Sequence, residues 1–298
     1  MKTIAPLAVL VAVLQGAATP QSAVDELLAT DRRFAAEAAR TTAIPAVTAM
    51  FADDVVVPTS VPAPGFVRGK AEAAEAMKAN ADNLQGRIQW APIRGGVSAD
   101  GQHGFTFGYM TLTTAEGKAT PIKYVAYWVN GSAGWRVAVY KRTIADQPPS
   151  TREMLPAATP GRLVAPVTDQ AAIARYKASL EAAEKAFSDE AQTVGLGPAF
   201  AKHGSTDAVN VGPRTSPTFV ISAAEIGKSV GAGSEGKPSP VSWAPDEGSI
   251  VASSGDLGAT FGYIRQNTPP PPGRPAAVPF ITIWRRADPS QPWRYVAE

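Results

Sequence analysis

The sequence repeats itself at a fixed distance of 153 residues. When residues 34–92 are shifted by 153 positions, 16 of the 59 pairs are identical and the register needs no gap. The identical pairs include Phe34/Phe187, Glu37/Glu190, Pro45/Pro198, Asp54/Asp207, Phe66/Phe219, Glu72/Glu225 and Trp90/Trp243. Self-similarity at one fixed period is typical of duplicated structural units. A chain of 298 residues has room for two domains of about 100–150 residues each. The sequence therefore predicts two copies of one domain.

Each copy places its helical patterns before its strand patterns. In the first copy, Val24, Leu27, Leu28 and Phe34 recur with the spacing of one helix face. Short β-branched and aromatic runs follow, and they continue past Trp90 to the end of the copy. Helices followed by a meander of strands predict an α+β fold.

Two glycines occur between aromatic residues in equivalent strands. Gly108 lies in Phe-Gly-Tyr, and Gly262 lies in the same tripeptide of the second copy. A glycine inside a strand indicates sheet curvature or a close backbone approach. Both copies are therefore expected to contain a bent sheet.

The chain divides into four segments. Residues 1–20 are expected to be a signal peptide, because Lys2 precedes eleven largely apolar residues and small residues follow up to Ala18. This apolar stretch is shorter than the roughly 20 residues that span a bilayer. The protein is therefore expected to be exported, to the periplasm or outside the cell. The first copy covers residues 21–145, a Pro-rich linker covers 146–168, and the second copy covers 169–298.

The composition excludes several kinds of site. The chain has no cysteine, so disulfides and thiol catalysis are absent. Its two histidines, His103 and His203, fall in different copies, which leaves little from which to build a zinc or copper site. Net charge is +2 without a block of Lys and Arg, so no nucleic-acid surface is expected. We expect neither a metal nor a cofactor.

Three motifs support a resemblance to a known superfamily. These are Phe51-Ala-Asp-Asp-Val-Val-Val57, Gly69-Lys-Ala-Glu72, and Tyr127-Trp128 followed by Trp135-Arg136-Val-Ala. The chain resembles the SnoaL-like superfamily, whose fold is similar to nuclear transport factor 2 and ketosteroid isomerase. Within it, the chain is most similar to the bacterial domain-of-unknown-function 4440 type. The resemblance implies two tandem cone-shaped domains, each with about three helices packed in a strongly curved antiparallel sheet. It also implies a pocket in the mouth of each cone, and pairing of the two copies as an intramolecular pseudo-dimer.

The resemblance permits a test for isomerase chemistry. The aspartate that acts as general base in ketosteroid isomerase corresponds to Thr59, and to Gly212 in the second copy. The acidic oxyanion partner corresponds to Val125 and Ile281. Neither replacement at the base position can remove a proton from carbon near neutral pH. An isomerase of that type is not expected, and a carboxylate buried at the bottom of either cone would contradict this interpretation.

Non-recurring residues of the strands and the central tyrosines are the pocket candidates. They are Tyr109, Thr111, Lys123, Tyr124, Tyr263 and Arg265. The expected role is non-catalytic: binding a small apolar or amphipathic molecule, or an assembly function. Two alternatives stay open, namely a lyase or isomerase that uses the cone pocket on a hydrophobic substrate, and a purely structural interaction module.

Overall fold

The computed structural model of the chain describes residues 18–60 and 63–298. Residues 1–17 of the expected signal peptide lie outside the described residues. The described chain forms two consecutive units, each with a six-stranded sheet and its own helices. The helices and strands of the first unit, cone one, are α1 Pro20–Ala38, α2 Ala43–Thr48, β1 Phe51–Thr59, β2 Gly65–Arg68, α3 Lys70–Lys78, α4 Asp82–Gln85, β3 Arg87–Val97, β4 His103–Thr113, β5 Ala119–Gly131 and β6 Gly134–Ile144. Those of the second unit, cone two, are α5 Gln170–Val194, α6 Leu196–His203, β7 Gly204–Asn210, β8 Val220–Ile221, α7 Ala223–Gly231, β9 Val241–Val251, β10 Leu257–Gln266, β11 Ala277–Arg285 and β12 Arg294–Ala297.

The two sheets have the same topology. The strand order is β2-β1-β6-β5-β4-β3 in cone one and β8-β7-β12-β11-β10-β9 in cone two. The long strands form an antiparallel meander. The last strand of each meander, β6 or β12, pairs in parallel with the first strand of its cone, β1 or β7. The expected α+β fold of two tandem cones is confirmed. Among the described residues, no helix is both long enough and apolar enough to cross a bilayer.

The long helix of each cone packs its apolar stripe into the sheet. In α1 the stripe contains Val24, Leu27 and Phe34, which are all buried. The helix begins at a capping box, in which the Thr19 hydroxyl accepts from the Ser22 amide and the Ser22 hydroxyl accepts from the Thr19 amide. Helix α7 also has a side-chain cap, because the Ser222 hydroxyl accepts from the amide of Glu225.

Both sheets bend where the repeated glycines lie. The register shifts beside Gly108 and beside Gly262. A Cβ atom at Gly108 would lie 2.1 Å from the Ala91 carbonyl oxygen, and one at Gly262 would lie 2.0 Å from that of Ala244. The predicted close backbone approach is confirmed, and it explains why neither strand accommodates a side chain there.

Apolar side chains pack in three layers. One cluster fills cone one around Trp128, and a second fills cone two around Trp284. The third lies between the cones and joins the outer faces of the two sheets, with Phe107 of β4 against Phe219 of cone two at a ring-centroid distance of 5.0 Å. The outer faces therefore pack on each other, which is compatible with the intramolecular pairing that the sequence predicts.

Polar contacts also connect the two cones. The buried Arg94 of β3 forms an ion pair with Asp207 of β7 and donates to the Asp207 carbonyl oxygen at 2.6 Å. At the β3–β4 turn, the carboxylate of Asp100 accepts from the Ser253 hydroxyl at 2.8 Å. In return, the carboxylate of Asp256 accepts from the Ala99 amide at 3.0 Å. These reciprocal contacts fix the two β-turns against each other.

The Pro-rich segment between the cones follows β3. The amide of Leu155 donates to the Ile93 carbonyl oxygen at 2.7 Å, and Ala158 pairs with Gly96 as a parallel bridge. Further along, the Val167 amide donates to the Ser253 hydroxyl at 2.9 Å. The segment therefore contacts both cones.

Candidate functional site

Each cone holds one fully buried carboxyl group on its long helix. Asp31 of α1 and Glu184 of α5 have no solvent exposure. They lie 153 residues apart, at the same position of the repeat. A buried charge is costly unless it is paired or hydrogen-bonded, so the surroundings of each carboxyl decide its role.

The carboxylate of Asp31 accepts three hydrogen bonds inside cone one. Its Oδ1 accepts from Trp90 Nε1 at 2.6 Å, and its Oδ2 accepts from the Thr106 hydroxyl at 2.7 Å and the Tyr124 hydroxyl at 2.9 Å. Burial raises the pKa of Asp31, and the three donors oppose that shift. Trp128 Nε1 completes the network by donating to the Thr106 hydroxyl oxygen at 2.9 Å. Asp31 therefore acts as a central acceptor of the cone-one core.

Glu184 has an equivalent but not identical set of donors in cone two. Its Oε1 accepts from Trp243 Nε1 at 2.7 Å. Its Oε2 accepts from the Thr260 hydroxyl at 2.5 Å and from Trp284 Nε1 at 2.8 Å. Burial raises the pKa of Glu184, again against the effect of these donors. Phe280 occupies the position in cone two that Tyr124 occupies in cone one. Because Phe280 has no hydroxyl group to donate, Glu184 lacks this hydrogen bond, and Trp284 donates to the carboxylate directly.

Glu184 lines a cavity of about 270 Å³ inside cone two. The walls are mainly apolar, with Phe187, Phe200, Trp243 and Phe280 among them. The polar lining residues are Lys141, Glu184, Asn210, Thr282 and Glu298. Binding sites for small molecules are commonly apolar cavities with a few placed polar groups, and this volume is just below the usual range of about 300–1,000 Å³.

Glu298 is the second carboxyl group of this cavity. Its Oε2 accepts from the Asn210 amide at 2.8 Å, whereas its Oε1 is buried and has no partner among the described residues. Burial is the main cause that raises the pKa of Glu298 to about 8, and the nearby Glu184 adds to the shift. Lys141 and Asn210 act in the opposite direction. At neutral pH this carboxyl is mostly protonated and offers a ligand both a donor and an acceptor.

Lys141 enters the cavity from the other cone. It lies on β6 of cone one and borders the cone-two cavity. Burial lowers the pKa of Lys141, and the charge of Glu298 partly restores it. Among the described residues, no carboxylate oxygen lies within 4.0 Å of the Lys141 ammonium. The polar end of the cavity is therefore built from both halves of the chain.

The surroundings of the buried carboxylate are different in cone one, where aromatic side chains pack beside it. Val139 and Ala297 occupy matching places against β1 and β7, so Tyr140 is the counterpart of Glu298. Tyr140 is buried, and its hydroxyl donates to the Met110 sulfur at 3.2 Å. With Tyr124 and Tyr140 in place, Asp31 lines neither the cone-two cavity nor the two cavities in the mouth of cone one. The two copies have diverged at this point.

The six pocket candidates from the sequence lie in different environments. Tyr124 is the one that faces a cone interior. Lys123 and Tyr109 are buried between the cones, where the Lys123 ammonium donates to the Ser216 carbonyl oxygen at 2.8 Å and burial lowers its pKa to about 8. Thr111 is half-buried on β4. Tyr263 packs its ring on Phe66, and the exposed Arg265 pairs with Asp246. None of the six lines the cone-two cavity.

The four positions compared with ketosteroid isomerase do not come together as one acid–base site. The side chains of Val125 and Ile281 belong to the apolar cluster between the cones, although Ile281 also borders the cavity. Thr59 lines the mouth of cone one, and Gly212 adopts a φ of 64° beside Val220. The absence of acidic residues at these four positions therefore does not mean that the cone interiors lack carboxyl groups. Glu184 and Glu298 line the cavity of cone two, and they contradict the interpretation that no carboxylate is buried there.

Four chemically important residues were missed from the sequence. Asp31 and Glu184 had a detectable signal, because each interrupts the apolar stripe of its helix and the two match at a spacing of 153. Lys141 and Glu298 gave no such signal, because neither recurs and the packing of the cones brings them together. The conserved spacing of Trp90 and Trp243 is explained by their bonds to the acids.

The histidines do not join this site. His103 lies at the start of β4, with Nδ1 3.0 Å from the Tyr127 hydroxyl oxygen. His203 is the last residue of α6, and its Nε2 lies 2.7 Å from a Glu190 carboxylate oxygen. Within residues 18–60 and 63–298, no group of three or more His, Cys, Asp or Glu side chains could hold a metal ion.

Similarity of the chain to known proteins is found among solved structures. No family model and no curated protein matches it. Among solved structures, an NTF2-like protein of unknown function from Pseudomonas putida is 17% identical, with 46% of this chain and 96% of that chain covered and a TM-score of 0.34. A ketosteroid isomerase-like protein from Erwinia carotovora is 21% identical, with 42% and 96% covered and a TM-score of 0.31. An NTF2-like protein with a cystatin-like fold from Novosphingobium aromaticivorans is 14% identical, with 41% and 81% covered and a TM-score of 0.31.

Each of these similarities covers less than half of the chain. The similar solved structures include NTF2-like, cystatin-like-fold and ketosteroid isomerase-like proteins. The finer assignment to the domain-of-unknown-function 4440 type stays a prediction.

Proposed function

We propose that cone two binds a small, mostly apolar molecule with one polar end. The cavity of about 270 Å³ carries this proposal, because aromatic and aliphatic walls meet a compact set of polar groups at one side. The apolar part of the ligand would contact Phe187, Phe200 and Trp243, and its polar end would meet Glu298, Asn210 and Lys141. Cone one supports the site by packing against cone two and by supplying Lys141.

Export and pairing belong to the same proposal. Lys2 and the apolar residues after it support export, and the apolar cluster between the cones supports a pseudo-dimer that functions as one unit. In this unit the buried carboxyl of cone two, Glu184, borders an open cavity. Tyr124 and Tyr140 occupy the corresponding space in cone one.

A calorimetric titration with p-cresol and toluene tests the binding proposal. Both probes have a compact ring, and only p-cresol has a hydroxyl group for the polar end. We expect p-cresol to bind more tightly than toluene. We expect Val230→Trp, which fills the cavity, to abolish the binding of both probes. The matched control is Met77→Trp, which changes the equivalent residue of cone one and should leave both affinities unchanged. An equal loss of probe affinity in Val230→Trp and Met77→Trp would contradict the proposal, and so would unchanged binding of p-cresol to Val230→Trp.

A second candidate function is acid–base catalysis in the same cavity. The observation that favours it is the convergence of two carboxyl groups with raised pKa values, Glu184 and Glu298, beside a lysine with a lowered one. Such displaced pKa values are common at catalytic sites. Ionised Glu298 could move a proton from the α-carbon to the γ-carbon of a β,γ-unsaturated ketone, while the Lys141 ammonium stabilises the enolate oxygen.

The isomerisation of 3-cyclohexenone to its conjugated isomer tests this candidate by ultraviolet absorbance. We expect a rate that rises as pH increases through about 8, where Glu298 loses its proton. Glu298→Gln should remove that rise. A wild-type rate no greater than that of Glu298→Gln across this pH range would exclude the catalytic role.

A further inference from the structure

Two consecutive residues of β6 place their cationic side chains on opposite faces of one sheet. Lys141 borders the cavity of cone two, whereas Arg142 borders two cavities in the mouth of cone one. This follows from the alternation of side chains along a strand. The two mouth cavities have volumes of about 650 and 480 Å³, and Arg142 lines both.

The guanidinium of Arg142 is incompletely bonded. Its Nη2 donates to Asn83 Oδ1 at 3.2 Å, and its Nη1 is buried without a partner among the described residues. Asn83 is fully buried, and its own Nδ2 donates to the Met77 carbonyl oxygen at 2.6 Å, which fixes the orientation of its amide. Burial lowers the pKa of Arg142, but an arginine stays charged in proteins.

The other charged groups of this mouth are paired with one another. The Lys118 ammonium lies 3.5 Å from a carboxylate oxygen of Asp82, and Arg214 Nε lies 3.2 Å from one of Asp146. Each pair is neutral overall. Arg142 is therefore the unbalanced charge, and a partly buried cation of this kind is stabilised by a counter-ion.

The residues that line the two cavities beside Arg142 indicate which other groups a bound anion would have. Val57, Ala73 and Met77 line the larger cavity, while Leu112 and Ile122 line the smaller one. An arginine fork matches the two oxygens of a carboxylate, and the apolar walls match a hydrocarbon chain. An inorganic anion would use the charge but not the walls.

We propose that the mouth of cone one binds a small amphipathic carboxylate, with Arg142 as its counter-ion. This site is separate from the cavity of cone two and does not depend on the function proposed there. The first cone then has a ligand of its own, although the space beside Asp31 is filled.

Calorimetric titration with octanoate, 1-octanol and inorganic phosphate tests this site in the full-length protein. We expect wild type to bind octanoate at least about tenfold more tightly than Arg142→Gln does, the difference expected when a charge-assisted bond is lost. Octanol should bind both proteins equally and more weakly than octanoate binds wild type. Phosphate should bind more weakly than octanoate, because it cannot use the apolar walls; tighter binding of phosphate would overturn the carboxylate assignment.

Three further variants make the result decisive. Arg40→Gln changes an exposed arginine outside the mouth and should leave octanoate binding unchanged. Val230→Trp fills cone two, so loss of octanoate binding there, with retention in Arg142→Gln, would move the ligand to cone two and refute this site. If Arg142→Gln does not fold, Arg142→Lys takes its place, with an expected loss of at least about threefold because lysine lacks the planar fork. Unchanged affinity in that variant would also refute the proposal.

Discussion

Asp31 and Glu184 lie at the same position of the two cones, and each binds the indole nitrogen of the equivalent tryptophan. The distances are 2.6 Å from Trp90 to Asp31 and 2.7 Å from Trp243 to Glu184. Duplication has therefore preserved a buried carboxyl with its tryptophan donor, although aspartate and glutamate differ in length. What differs is the other side of each acid, which is filled by tyrosines in cone one and open in cone two.

The first prediction concerns the role of Asp31 as a buried acceptor. Asp31→Ala should lower the free energy of unfolding by about 3–5 kcal/mol, because three buried donors lose their acceptor and each unsatisfied group costs roughly 1–3 kcal/mol. Asp54→Ala is the matched control, since Asp54 is exposed; it should change stability by less than about 0.5 kcal/mol. Urea denaturation followed by tryptophan fluorescence measures both. Equal effects of the two substitutions would show that the network around Asp31 is not needed for stability.

The fold was more accessible from the sequence than the site. The apolar stripe of α1 and the glycines of Phe-Gly-Tyr are local patterns, and each reflects a constraint that acts within one copy. The period of 153 shows that the same constraints recur in the second copy. Glu298 and Lys141 obey no such constraint, because their proximity depends on how the outer sheet faces pack together. An ionisable residue at the contact between the two sheets can be recognised as part of a site only when its neighbours in the structure are known.

The second prediction concerns the pH dependence of stability. The pKa of Glu298 is raised from its ordinary value of 4.5 to about 8 in the folded protein. Between those values the folded state binds more protons than the unfolded state, so the free energy of unfolding falls as pH rises from about 5 to 8. Each unit of pKa difference corresponds to about 1.4 kcal/mol. Glu298→Gln should have a flatter profile in this window, measured by urea denaturation at a series of pH values. Parallel profiles of the two proteins would contradict the raised pKa.

The third prediction concerns the ion pair between the cones. Arg94 is buried, with 4% of its side chain exposed, whereas 56% of the Asp207 side chain is exposed. Asp207→Ala leaves a buried guanidinium without its counter-ion and should cost about 3 kcal/mol, since breaking a buried pair costs roughly 3–5 kcal/mol. Arg94→Met leaves a carboxylate that water can solvate and should cost only about 1 kcal/mol. Chemical denaturation of both variants measures the difference. A larger loss for Arg94→Met would show that the packing of the arginine stem outweighs the charge.

The fourth prediction concerns the bend of the cone-one sheet. A methyl group at Gly108 would meet the Ala91 carbonyl oxygen at 2.1 Å, and backbone on both strands would have to move to accommodate it. Gly108→Ala should therefore destabilise the protein by about 2–4 kcal/mol, within the range of overpacking in a tightly packed region. Gly131→Ala is the matched control, because a Cβ atom there meets nothing within 4 Å. Thermal unfolding compares the two variants in one buffer. If Gly108→Ala melts at the temperature of Gly131→Ala, the strand can accept a side chain at the bend, and the recurrence of glycine there needs another cause.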